Sequence, residues 1–147
     1  MKSLFNERVY QEIEKRILRL SNTSTPVWGT MDVSQMLHHC QFPLKIVLQK
    51  EHPRLKNSLL ARLFFKKALY NDKLWRKNLP THVKLKVNTS KNFNEEQKLL
   101  LSLILEFYNK RQVQEWNPHP MFGKFTYEQW GKMQYKHLDH HLRQFNV

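Results

Sequence analysis

The sequence predicts an all-α protein, a four-helix bundle with an elaborated connection between the second and third helices. Three observations carry that expectation. The chain has only three glycines in 147 residues and is rich in Leu, Lys, Gln and Glu, which favours helix over sheet. Apolar residues recur at helical spacing in four separate stretches. Those stretches are bounded by capping side chains or by turn chemistry. The length fits one domain, residues 1–147, able to bury a real core.

The first helix is expected over residues 3–20, where Phe5, Val9, Ile13, Ile17 and Leu20 make one stripe. The run SNTSTP, closed by Pro26, ends it. The second is expected over 32–50, with Asp32 and Gln35 as a capping pair and Val33, Met36, Leu37, Cys40, Leu44, Val47 and Leu48 on a broad apolar face. Pro43 lies inside it and cannot donate to the carbonyl of His39, so a kink is expected beside that histidine. Residues 51–92 read less clearly. NSLLARLFFKKALY has a helical period, and HVKLKV alternates over too few residues for more than one short strand. The third main helix is expected over 94–112, capped by Asn94 with Gln97, with Leu99, Leu100, Leu103, Ile104 and Phe107 facing the core. WNPHPMFGKF is a turn-rich loop, and the fourth helix follows over 126–145 from a Thr126–Gln129 capping box.

Composition narrows the class. A single cysteine, Cys40, excludes a disulfide framework and fits a reducing, cytoplasmic setting. No stretch is apolar for long enough to span a bilayer, so no membrane partner is expected. The formal charge is +13, and it is concentrated: residues 54–91 hold eleven Lys or Arg against one acid, Asp72. Such a segment is either a solvated basic face or a contact for nucleic acid or another polyanion. No Ser-His-Asp set, phosphate-binding glycine loop or zinc-finger cysteine pattern is present.

The histidines are the other signal. His137 and His141 lie one turn apart on the last helix, on a face otherwise made by Trp130, Met133 and Phe145. His39 lies beside the apolar face of the second helix. In a bundle the three could converge as three neutral imidazoles, leaving a coordination position open, as catalytic metal sites do. Spacing alone equally allows a polar network in the core with His39 uninvolved. By phase, His38 points away from His39 and reads as exposed, His140 faces away from His137, and Asp139 is too far round the helix to be a first choice as ligand; His119, in the HPMFG loop, could reach over the bundle mouth but reads as structural. Trp28, Trp116 and Trp130 read as anchors, and Cys40 as an inert buried thiol.

WGTMDVSQMLHHC and HPMFGKFTYEQWGKMQYKHLDHHLRQF resemble the two signature stretches of a domain-of-unknown-function family allied to the DinB/YfiT-like metalloenzymes. The similarity covers essentially the whole chain and is most specific at these two stretches. It implies a four-helix bundle of up-down-down-up arrangement. It also implies a divalent ion, nickel or zinc, held by one histidine of the second helix and an HxxxH pair of the last. The MLxHC pattern selects His39 over His38, and HLDHH supplies His137 and His141. The activities implied are metal-dependent transfer or hydrolysis on a small molecule such as a thiol. A non-enzymatic protein binding nucleic acid or an acidic partner through residues 54–91 is the competing class. Subunit number, a homodimer included, stays open.

Overall fold

The computed structural model describes residues 2–147, and they form five α-helices with no strand among them. These are α1 (Glu7–Leu18), α2 (Val33–Val47), α3 (Leu59–Phe64), α4 (Phe93–Asn109) and α5 (Tyr127–Gln144), with 3-10 turns at Lys66–Leu69 and Val83–Leu85. Among the described residues, no helix is long and apolar enough to cross a membrane.

The caps explain the boundaries. Two of the three predicted capping pairs form: Asp32 Oδ1 accepts from the Gln35 amide, and Gln35 Oε1 from that of Asp32, at 2.8 and 3.0 Å. Thr126 and Gln129 exchange the equivalent pair at 3.2 and 3.1 Å. Two other starts differ from expectation. α1 begins after Asn6, whose side chain accepts from Val9, and not at residue 3. The preceding residues are drawn onto α5 instead: the Leu4 amide donates to the Gly131 carbonyl at 3.0 Å, and Leu4 and Phe5 are buried. Gly131 permits that approach, because a Cβ there would stand 2.2 Å from Ser3 Oγ. α4 is capped by Asn92, not Asn94, which puts Glu95 and Glu96 in its favourable first turn.

The helix α2 packs most extensively on α4 and also on α5, while α1 packs on both α4 and α5. Ile13, Ile17, Met36, Leu37, Leu44, Leu100, Ile104, Phe107, Trp130, Leu138 and Leu142 meet in the middle and are essentially excluded from water. Phe5 is stacked between Phe107 and Tyr127, with ring centroids 4.5 and 4.2 Å away. Leu99, expected on this face, is half exposed, since its phase puts it at the edge of the stripe set by Leu100, Leu103, Ile104 and Phe107.

The HVKLKV alternation does not make a strand; it holds the Val83–Leu85 turn, and of its apolar side chains only Val87 is buried. No neighbouring strand offers it a ladder. The helix α2 runs on through Pro43, whose carbonyl accepts from Gln134 Nε2 of α5 at 3.0 Å. That bond ties α2 to α5, and each capping box stabilises the start of its own helix. Removing one box should show this: Thr126→Ala is expected to cost about 1 kcal/mol. For a chain of this size that lowers the melting temperature by roughly 2–4 °C, measured by thermal unfolding.

Candidate metal centre

His39, His137 and His141 come together between α2 and α5, all three buried, with one potential ligand nitrogen of each within 4.8 Å of the others. Their ring centroids form a near-equilateral triangle of 5.1, 4.8 and 4.8 Å sides. His39 Nε2 and His137 Nε2 are 3.2 Å apart. Two nitrogens bound at zinc distances and a tetrahedral angle would be separated by roughly 3.3 Å.

The outer nitrogens decide which lone pairs face inward. His39 Nδ1–H donates to the Leu85 carbonyl at 3.0 Å, so its Nε2 carries the lone pair. His141 Nδ1–H donates to Gln144 Oε1 at 3.0 Å, which leaves its Nε2 free as well. His137 Nδ1 is buried without a partner among the described residues. In the absence of an ion, His137 Nε2–H can donate to His39 Nε2 across the 3.2 Å between them; with its proton on Nδ1 instead, His137 turns a third lone pair toward the same point, which then suits a cation.

Burial keeps the rings neutral. It pushes His137 well below the ordinary imidazole range, with the neighbouring histidines adding to the effect. It brings His141 down to about 3 and lowers His39. Neutral imidazole is the form that ligates a metal. Among the described residues, no carboxylate joins the three rings as a potential ligand. Asp139, the nearest acid in sequence, pairs with Arg16 at 2.7 Å.

The other histidines divide as follows. His38 is half-buried, not exposed, because its Nδ1 lies 2.9 Å from Glu96 Oε2 on α4. His140 is half-buried beside Trp28 and Trp75. His119 is buried in the loop, where its Nδ1 accepts from the Met121 and Phe122 amides at 3.1 and 3.3 Å; its work is to hold the turn. Cys40 is buried with its thiol pushed up, against Met36 Sδ.

The site also has parts that the sequence did not announce. The basic segment lies on the surface as expected, but it is not separate from the histidines. It supplies the Leu85 carbonyl and the Trp75 ring, which lies edge-on to His137 at 6.1 Å. Lys136 of α5 fastens this cover: its buried ammonium donates to the carbonyls of Ala68 and Asn71 and to Asn71 Oδ1, at 2.7, 2.9 and 2.7 Å. Trp75 Nε1 donates to the same Ala68 carbonyl at 2.7 Å.

His141 reaches the wall of a cavity of about 600 Å³ that Trp28, Gln35, Asn78, Lys86, Asn88 and His140 also line, with no acidic residue in the wall. Gln144 sits between ring and wall: its Nε2 donates to the Trp28 carbonyl at 2.6 Å while its Oε1 holds His141. Gly29, at φ +85°, makes room for it, since a Cβ would stand 2.3 Å from Gln144 Nε2.

Comparison with curated proteins found no match, and comparison with solved structures found none. A family match does cover residues 6–147, the three histidines and the cavity wall included, and the chain belongs to that family, described as protein of unknown function (DUF1569).

Proposed function

We propose that this is a metal-dependent protein of the DinB/YfiT-like kind. In this reading α1, α2, α4 and α5 form its up-down-down-up four-helix bundle, and His39, His137 and His141 bind one divalent ion, zinc or nickel. The observation that carries the reading is the convergence of three buried, neutral imidazoles whose Nε2 atoms on His39 and His141 are turned inward by bonds on the other nitrogen. The mutual packing of the four long helices supports the bundle.

A divalent ion held there supplies Lewis acidity and lowers the pKa of a bound thiol or water. The chain's own residues do the rest. Three neutral ligands bring no negative charge, so an anionic donor such as a thiolate is the favoured additional partner. The cavity beside His141 holds the remainder of a small substrate among Trp28, Gln35, Asn78 and Asn88, and its wall has no carboxylate to repel an anion. Trp75 and the Lys136 clamp keep water from the far side of His137. Cys40 takes no part, being a buried thiol held protonated. Transfer to or from a small thiol is therefore the leading reaction, with hydrolysis of a small molecule the other one compatible with the same donors.

The direct test is metal content. Equilibrium dialysis followed by elemental mass spectrometry should find about one zinc or nickel per chain, and His137→Ala should lose it. Equal metal content in the two proteins would defeat the proposal. The outer bonds give a second expectation. Gln144→Leu leaves His141 Nδ1 without its acceptor and should weaken affinity about 10- to 100-fold in a chelator competition, with helical content unchanged.

A further inference from the structure

The most conspicuous surface outside the metal centre is α3. Leu59, Leu60, Leu63 and Phe64 recur at i, i+1, i+4 and i+5 and so share one face. With Phe65 they are between 62% and 71% exposed, and α3 buries no residue at all. Five adjacent large apolar side chains in water are more than a soluble monomer ordinarily displays. They are not on a loose strand of chain. The Ser58 side chain caps the helix, and the Ser58 amide donates to the Met121 carbonyl. Lys66 donates to the Lys124 carbonyl and lies over the Phe125 ring, and the following turn is held by Lys136.

The frame around this face is positive. Arg54, Lys56, Arg62, Lys66 and Lys67 flank the apolar residues, and between residues 54 and 91 Asp72 is the single acid. We propose that α3 and its flanks seat the protein on an anionic phospholipid surface. The leucines and Phe64 enter the boundary between headgroups and acyl chains, and the lysines and arginines lie among the phosphates. Apolar insertion and a basic patch are the two signals that together give lasting attachment to a membrane surface. A second copy of the chain is a poorer occupant, because a two-fold contact would bring two basic frames together. Nucleic acid would meet the charge but leave the aliphatic side chains in water. The expectation of no membrane partner rested on the lack of a spanning stretch, which a short helix seated on the surface does not need.

Vesicle flotation tests this with the full-length protein. Binding is expected to phosphatidylcholine vesicles containing phosphatidylglycerol, and not to phosphatidylcholine alone. It should weaken as salt is raised. Leu63→Ser with Phe64→Ser should reduce it by at least about tenfold, and Lys56→Gln with Lys67→Gln by about fivefold for each charge removed. All four side chains point to solvent, so helical content and metal binding serve as controls and should not change. The proposal is overturned by absence of flotation at low salt or by unchanged binding in the Leu63/Phe64 variant. It is also overturned if the wild type sediments as a dimer that this variant dissolves, which would make the face a contact between copies. Tighter, salt-sensitive binding to DNA or RNA that ignores the apolar substitutions would assign the patch to nucleic acid instead.

Discussion

Zinc or nickel added to metal-free protein is expected to raise its melting temperature, and chelator to reverse the rise. An ion that binds only the folded form at a hundredfold excess over its dissociation constant contributes about 2.7 kcal/mol. For a chain of this size that corresponds to roughly 5–11 °C. His39→Ala should abolish most of the shift, because His137 and His141 alone fix two positions on one helix. His38→Ala should lower the starting stability, since it removes the contact with Glu96, yet preserve the metal-dependent rise. His140→Ala should preserve it too. Equal loss of the rise in the His38 and His39 variants would mean the wrong ring had been assigned. No rise in the wild type would leave the three histidines as a polar network in a helical core.

The second large effect is acid lability of the metal-free protein. An imidazole in an unfolded chain titrates near 6.5, whereas burial brings His119 down to about 4 and His141 to about 3. Between the folded and unfolded values the unfolded chain holds more protons, so stability is fully present above about 6.5 and falls as pH drops through that window. For His119 alone the interval corresponds to roughly 3 kcal/mol at the acid end, a sizeable part of the 5–15 kcal/mol of an ordinary domain. Denaturant titrations should therefore show unfolding free energy falling steeply from pH 6.5 towards 4. A flat profile over that range would contradict the burial of these rings as neutral groups. Zinc should move the acid limb lower, since it competes with protons for His39, His137 and His141. Imidazoles of ordinary pKa would stop ligating below about pH 6; buried ones hold on further down.

How much of this was legible in the chain follows from what each part is made of. The long helices announced themselves by period, and two of their starts by capping boxes that formed as read. Helical phase put His39, His137 and His141 forward as candidates, but spacing alone equally allowed a network without His39, and the MLxHC resemblance chose His39 over His38; the structure brings the three together. The partners of those ligands were harder. A backbone carbonyl such as that of Leu85 has no sequence signature, and Trp75 lies where the apolar period dissolves. Gln144 could have been noticed, because it stands three residues after His141 on the same helix face. The surface of α3 shows the reverse limit. Its apolar period is real, but a period says which residues share a face and not whether anything covers it.

The bond between His39 and His137 joins residues 98 positions apart, and that separation sets an order of events. The HxxxH pair exists as soon as the last helix coils, with both rings supplied by one turn of local structure. The third ring arrives only when a long loop closes, and the entropy of that closure must be met by the packing of α2 on α4 and α5. On the proposed reading, capture of an ion by all three rings waits for that closure. The helix pair alone would offer an ion two ligands, and only the closed bundle would offer three.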